Sequence, residues 1–521
     1  MARDELLCSF LGVIITPKTW CPPVFKLFAS KHTNMFPNSI HQPSFGPLTK
    51  TQTPSTVMPR LRVISLPNRR QSFIVLGFFI TLTLFLFFLR EQTTIIPNRN
   101  RSLRRPRYKP TPVWLPPPIK DNFPLLLNAA TPKDLPQIPK WNIPHPNAHN
   151  TTPMNLPVAP VLLIGFTRTW PLLLQAVTSY ITAGWPPSQI YVVENTGVQQ
   201  SNVRGLLSLQ NQFFLNHTAL GLLGVNVVTT PTLLNFAQMQ NFFLYLAYQH
   251  DWPYYFWSHM DVVVYSFEGG EPGITPRYDE PGYKSLYTLA LETLHKTREE
   301  DKKWGIRFFA YDHLALVNRD MLEDIGGWDG MIPYYITDCD THNRVDMKGW
   351  STADGRVGII ADVASSLEDL AMLYRVNLEG EVHFVDPNPK KTDVRAERTR
   401  VDRREQDKLQ VEREKRGFNF VERRDDENWI KWNKLVKTSD RQFQHKHSDR
   451  GRNTWQLGQH GGQGEPFYYN AAGLAEAMQI MIDTGLEVYR RKWGHKNCHL
   501  IDEAGLGFDD AWRVKKDWIL W

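Results

Sequence analysis

The stretches VLLIGFTR (Val161–Arg168), IYVVENTG (Ile190–Gly197) and YYFWSHMD (Tyr254–Asp261) decide the fold. Each is a short apolar run that ends in polar or charged residues. Between them the apolar positions recur at helical spacing. Trp170–Ala183 and Leu233–His250 read as helices, and Val225–Val228 as a further strand. Short apolar strands alternating with helices predict βαβ units and an α/β, Rossmann-type domain with a mostly parallel sheet. Ligands of such sheets collect at the carboxyl ends of the strands, so the polar residues found there are the first site candidates.

Upstream, Ser72–Leu89 reads SFIVLGFFITLTLFLFFL, bracketed by Arg69, Arg70 and Arg90. At 1.5 Å per helical residue, Phe73–Leu89 spans roughly 26 Å, close to a thin bilayer. The run has no polar face, so a core helix would have to be buried all round. The layout predicts a cytoplasmic tail over 1–71, a transmembrane anchor over 72–90, a proline-rich stem over 91–157 and a catalytic domain over 158–521. The later half of the stem has an alternative as ordered coil along the domain, because it carries Trp141 and Leu125–Leu127. Arginines flank both sides of the span and slightly favour the opposite orientation. The sequons at Asn100, Asn150 and Asn216 all follow the span and favour a lumenal C-terminus. Met58 opens a short basic tail and is a candidate start of translation.

Composition narrows the class. The chain has 521 residues, a net charge of +7 and 42% hydrophobic content, enough for one large core or two medium ones. Part of the positive charge is the arginines around the anchor, and no nucleic-acid module accompanies it, so no nucleic-acid partner is expected. Four cysteines exclude a disulfide scaffold; a single bridge between Cys339 and Cys498 is compatible with an oxidising compartment. The segment Lys390–Gly417 is mostly charged and opens an insertion over about 390–450, read as a solvated surface element. Beyond it, Ala471–Arg491 reads as a helix.

Three groups carry candidate chemistry. Thr167 and Arg168 follow the first strand and Glu194 and Asn195 the second. Such side chains suit a phosphate, a ribose or a base, although ordinary turns and caps use the same residues. His259 and Asp261 end the strand Tyr254–Trp257. An aspartate there suits Mg²⁺ or Mn²⁺, which prefer oxygen ligands. The third group is the most specific: Asp324, Gly326, Gly327, Trp328 and Asp329 precede Thr337, Asp338, Asp340, His342, Arg344 and Gly349. The diglycine permits a tight turn, and Asp338 and Asp340 offer a base with Arg344 as nearby compensation. A helix N-terminus rich in aspartate is the alternative for the second half of this group.

The run GGWD (326–329), then TDCDTHNR (337–344) and Gly349, resembles the GGxD, EDxDxxxR and G region of family 2-like GT-A-fold glycosyltransferases. His259-Met-Asp261 resembles their DxD motif, Glu194-Asn195 their nucleotide-reading acid, and YRRKWG (489–494) a YxxKWG element of some fungal members. The resemblance covers about Val158–Gly349 with motif order intact. It implies a nucleotide-diphospho-sugar transferase with a UDP- or GDP-sugar donor and a glycan or glycoconjugate acceptor. Asp338 would be the base of an inverting displacement, with Asp340 and Arg344 organising the site. Asp261, and His383 as a late ligand, would hold Mn²⁺ or Mg²⁺, with Mn²⁺ preferred. His495 and His499 compete for the late-ligand role. Thr167, Arg168, Glu194, Asn195 and His259 would meet the donor, and Gly327, Trp328 and Asp329 the sugar. The implied location is the Golgi membrane, single-pass and type II, with the domain lumenal. Two positions depart from the pattern: His259 replaces the first acid of DxD, and Thr337 the glutamate of the ED pair. They keep open a metal-independent enzyme and a non-catalytic glycan-binding or assembly subunit. A nucleotidyl or other phosphoryl-transfer enzyme is a third reading.

Overall fold

A computed structural model describes residues 80–84, 106–108, 118–151, 154–385, 426–447, 462–466 and 470–517. The apolar run at 72–89 therefore lies outside the described residues except for 80–84, which are helical. Among the described residues no helix is long and apolar enough to cross a membrane. Backbone contacts divide the chain into two units, Met1–Pro110 and Thr111–Trp521; the second holds the sheet.

That unit has a mixed α/β fold with a mostly parallel central sheet of seven strands in the order β3-β2-β1-β4-β7-β6-β8. The strands are β1 (Leu162–Phe166), β2 (Ile190–Glu194), β3 (Asn226–Thr229), β4 (Tyr254–Ser258), β6 (Trp304–Phe309), β7 (Leu314–Asn318) and β8 (Ser351–Gly355). β5 (Val262–Tyr265) and β9 (Ile359–Asp362) form a separate antiparallel pair, as do β10 (Ser366–Leu367) and β11 (Phe384–Val385). In the main sheet only β7 runs against its neighbours. The longer helices are α1 (Trp170–Thr182), α2 (Phe236–Gln249), α3 (Leu286–Glu300), α4 (Thr337–Met347), α5 (Glu427–His447) and α6 (Ala471–Trp493).

Strand β1 shows why these segments fold this way. Its side chains alternate across the sheet, as a pleated strand requires. Leu162, Ile164 and Phe166 enter one core, with Trp170, Leu173, Val177 and Tyr180 of α1. Val161 and Leu163 enter the other, with Ala237, Phe243, Leu246 and Ala247 of α2. A strand buried on both faces needs an unbroken apolar run, which is the pattern in the sequence. Helix α2 starts where Asn235 accepts from the Gln238 backbone and Gln238 reaches back, a capping box that satisfies two amide donors. Helix α6 ends at Gly494, whose φ of +65° suits glycine at a helix terminus.

Described residues between 118 and 157 pack along this unit, so the later half of the proline-rich segment is ordered coil and short helix. Phe123 is completely buried against Tyr374, with ring centroids 5.8 Å apart. Asn142 donates to the Thr182 carbonyl at 2.8 Å and to Glu268 at 2.9 Å, and Tyr283 donates to it at 2.7 Å. The charged segment 390–425 lies outside the described residues. Its continuation is α5, which packs against β9. Cys339 and Cys498 are joined in a disulfide with Cα atoms 5.2 Å apart. Of the sequons, Asn150 is exposed, the Asn216 side chain caps a short helix by accepting from Ala219, and Asn100 lies outside the described residues.

Candidate functional site

The chain runs from β1 to β2 to β3 on one side, then returns to place β4 on the other side of β1. This change of direction puts a topological switch point at the carboxyl ends of β1 and β4, the place where open α/β sheets take ligands. Antiparallel β7 starts at the same edge, since Leu314 pairs with Ser258. The edge therefore gathers Thr167 and Arg168, Glu194 and Asn195, His259 and Asp261, and the turn Tyr311–His313 between β6 and β7.

Four of the ten described non-glycine residues with positive φ lie at or beside this edge. Thr169, Ala310, Tyr311 and Ile336 all have positive φ, between +54° and +72°. For a β-branched residue such as Ile336 this is a sterically costly conformation. Each such residue costs roughly 1–3 kcal/mol, and residues of this kind cluster at functional sites. Ile336 immediately precedes α4 and sets Thr337, Asp338 and Asp340 in its first turn. Asp338 is partly exposed and accepts from the Tyr311 hydroxyl at 3.1 Å. The two line one hollow with His342, Asn343 and Asp346, walled by the Cys339–Cys498 bridge. Burial lowers the pKa of His342 and raises that of Asp346.

Asp340 points the other way, into the protein, and is fully buried. Its Oδ2 accepts from Arg344 Nε at 2.9 Å. Its Oδ1 meets Lys492 Nζ at 2.7 Å and accepts from Trp493 Nε1 at 2.8 Å. Arg344 in turn donates to the carbonyls of Ile325 at 2.6 Å and Gly327 at 2.7 Å. These two residues face the interior; they fasten the diglycine turn and the end of α6 to α4. The GGWD, TDCD and YRRKWG stretches thus meet in one network. Gly327 has φ +71°, and a Cβ there would fall 2.7 Å from Asn241 Oδ1. Asn241 pairs with both backbone groups of Trp328, at 2.8 Å each. The Trp328 ring is buried edge-on to Phe236, so it is packed in the core rather than presented to a sugar. Asp329 binds Lys492 at 2.8 Å. Burial opposes its ionisation, but Lys492 holds its carboxyl below the ordinary range.

The β1 and β2 ends are also tied inward. Glu194 is fully buried. Its Oε1 accepts from Thr196 at 2.9 Å and Asn202 at 2.7 Å, and its Oε2 meets His217 at 2.9 Å. Asn195 pairs with both backbone groups of Leu234, at 2.8 and 2.7 Å. Three internal donors thus share the two oxygens of Glu194, and they compete with the nucleotide-reading role expected of it. Arg168 is buried beside Met478 of α6, 3.1 Å from the sulfur, and burial lowers its pKa to about 10. Thr167 accepts weakly from Asn195 at 3.4 Å.

At the end of β4 the strand pair β5–β9 sets Asp362 opposite Val262, beside Asp261. Lys446 near the end of α5 bridges the two carboxylates, 2.6 Å from Asp261 Oδ2 and in direct contact with Asp362. His447 Nε2 lies 3.0 Å from Asp362, and His259 lies 3.7 Å from Asp261 and 3.6 Å from Asp312. Burial disfavours the ionised Asp261, but Lys446 and His259 outweigh it and keep the carboxyl well below the usual range. Burial likewise opposes charge on His259, yet Asp261 and Asp312 raise its pKa to about 10. His383, the expected second metal ligand, is exposed beside β11 and is not among the side chains paired with Asp261. Among the described residues no group of three or more His, Cys, Asp or Glu is arranged to hold an ion. His495 is occupied by Glu503 and Asp517. As arranged, the donors expected to take Mn²⁺ or Mg²⁺ do not fit a divalent ion: an ammonium already stands on Asp261, and His383 is not paired with it.

Sequence reasoning missed Tyr311, Asp312, His313, Asp362 and Lys446, and met Lys492 only as part of YRRKWG. Lys446 carried a signal: Trp432, Leu435, Ser439, Gln442 and Lys446 fall at alternating three- and four-residue spacing, and all five are buried. The stripe marks a packed helix face with a lysine at its end.

No family model matches the sequence, and no curated protein matches it either. Among solved structures, the chain is similar to a cytidylyltransferase from Leptospira borgpetersenii serovar Hardjo-bovis. The identity is 8% and the TM-score 0.23, covering 38% of this chain and 80% of that one. A likeness this slight carries no functional argument, so function is argued from the chain's own residues.

Proposed function

We propose that the chain is a nucleotide-sugar glycosyltransferase, anchored by Phe73–Leu89 as a single-pass type II protein of the Golgi membrane with its catalytic unit lumenal. The observation that carries the reading is the strained entry to α4. It holds Asp338 at an open hollow beside the β6–β7 turn, while Asp340 and Arg344 are spent on positioning. In the proposed step, an acceptor hydroxyl oxygen attacks the anomeric carbon and its proton passes to an Asp338 oxygen. The bond from that carbon to the diphosphate breaks, and its electron pair leaves on the phosphate oxygen. A base needs hydrogen-bond reach of the proton it takes, and Tyr311 orients the carboxylate for it. The order of motifs along the chain, the Cys339–Cys498 bridge and the exposed sequon at Asn150 support a secretory-pathway transferase. The test is release of UDP or GDP from a panel of UDP- and GDP-sugars by the full-length protein in detergent, beside Asp338→Asn. Release by the wild type that disappears in the variant supports the reading; a folded protein that neither binds nor cleaves any donor sinks it.

A second reading is a non-catalytic glycan-binding or assembly subunit. The engagement of Glu194 by Thr196, Asn202 and His217 favours it, because three internal donors already compete for the acid that would read a nucleotide. Glycan binding without donor binding would select it.

A further inference from the structure

The surroundings of Asp261 are built for a cation, and the chain supplies that cation itself. Asp261 and Asp362 are both buried and their carboxylates face one point. Lys446 Nζ stands at that point, in a residue only 4% exposed, with the Val363 carbonyl at 3.5 Å. The Asp261 carbonyl accepts from Val363 at 2.8 Å, so the two acid-bearing segments are locked together. Around the ammonium lie His447 at 3.0 Å and His313 at 3.7 Å from Asp362, with His259 at 3.7 Å from Asp261. A lysine ammonium has three donors and no acceptor, and two of them are met here by carboxylates. Its stem continues the buried face of α5 formed by Trp432, Leu435, Ser439 and Gln442, so helix packing holds the charge in place. Trp432 also donates to the Ser266 carbonyl at 3.2 Å, and Gln442 to the Ser365 carbonyl at 2.8 Å.

We propose that Lys446 is a built-in counter-cation that fills the divalent-ion position between Asp261 and Asp362, making the site at the end of β4 independent of metal. An oxygen-seeking divalent ion and a buried ammonium cannot occupy the same pair of carboxylates. Removing the ammonium leaves two buried carboxylates with only the neighbouring histidines as partners, a costly arrangement whose oxygens match the ligand preference of Mn²⁺. The meaning for catalysis rests on the transferase reading; the cation chemistry does not.

The test therefore reads metal binding directly. Full-length wild type, Lys446→Met and Lys446→Arg, purified in detergent, are titrated with Mn²⁺ and free ion is followed by electron paramagnetic resonance. The expected result is no bound Mn²⁺ in the wild type and in Lys446→Arg, and about one per chain in Lys446→Met. Adding Asp261→Asn to Lys446→Met is expected to abolish that binding. Mn²⁺ bound by the wild type and lost in Asp261→Asn overturns the proposal, and so does a folded Lys446→Met that binds none. Should Lys446→Met not fold, the wild-type titration and the Lys446→Arg arm decide it, since Mn²⁺ bound at Asp261 in either overturns it. UDP and GDP binding is measured on the same wild-type sample in EDTA and in Mn²⁺. Equal binding in both agrees with the proposal, and a Mn²⁺ requirement overturns it. No nucleotide binding in either buffer, alongside the expected Mn²⁺ result, sinks the transferase reading and leaves the lysine assignment standing.

Discussion

Replacing Asp340 with alanine should unfold the protein more readily without touching an open surface. The carboxylate is fully buried and serves three donors: Arg344 at 2.9 Å, Lys492 at 2.7 Å and Trp493 at 2.8 Å. Truncation strands a buried guanidinium and a buried ammonium. Breaking a buried charge pair by removing one partner costs roughly 3–5 kcal/mol. Lys492 keeps Asp329 at 2.8 Å, and Arg344 keeps two carbonyls, so the lower end applies, about 3 kcal/mol. At about 2 °C per kcal/mol for a large domain, Tm should fall by roughly 6 °C. Differential scanning fluorimetry of purified wild type and variant measures it. The adjacent control is Asp338→Ala, which removes a partly exposed carboxylate and should leave Tm within about 1 °C. An Asp340→Ala protein as stable as the control would refute the assignment of Asp340 to positioning and return it to the candidate reacting groups.

Other expectations rest on the same contacts. Asp338→Asn should reduce donor turnover by about two or more orders of magnitude, the usual scale for a lost general base, with the unfolding curve unchanged; Tyr311→Phe should slow turnover by a smaller factor in the same assay. Reducing the Cys339–Cys498 bridge, or making Cys498→Ser, releases a loop with a sequence separation of 159. Loop entropy puts the loss at up to about 5 kcal/mol, readable as a reductant-dependent shift in urea unfolding. Lys492 lowers the folded-state pKa of Asp329 despite burial. Its stabilisation is therefore present above the unfolded value of about 4 and is lost as pH falls through the lower folded value. Asp329→Asn should flatten the acid limb of a stability–pH profile, and an unchanged limb would count against the Lys492 contact.

The strands and helices around the sheet were legible because burial on both faces leaves an unbroken apolar run. Ile190–Val193, Val225–Val228 and Tyr254–Trp257 each fall within one residue of the observed strand ends. The antiparallel entry of β7 was not legible, since a buried strand reads the same in either direction. The site was partly legible. The polar residues at strand ends and in the 326–344 stretch were found, but their facing was not: Glu194, Asn195, Asp340 and Trp328 carry the right chemistry and spend it inside the protein. Nor does one sequence report that Lys446 meets Asp261 across a separation of 185 residues. The charged stretch ahead of α5 invited a reading as solvated surface, and the buried stripe that begins at Trp432 was hidden because Ser439, Gln442 and Lys446 within it are polar.

The dependence of Asp340 on Lys492 and Trp493, and of Cys339 on Cys498, has a consequence for biosynthesis. The entry to α4 is translated long before the residues that fasten it. At about 5–20 residues per second, the 159 positions between the two cysteines take roughly 8–30 s to synthesise. Throughout that interval Cys339 has no native partner and the Asp340 carboxylate lacks two of its three donors. The nascent sheet must therefore wait, with Cys339 unbridged and Asp340 held by Arg344 alone, for the last stretch of chain. A ribosome that stops before Lys492 releases a product whose β1–β4 core can close but whose α4 cannot be fastened. Such truncations should be retained and degraded rather than passed on as partly active protein.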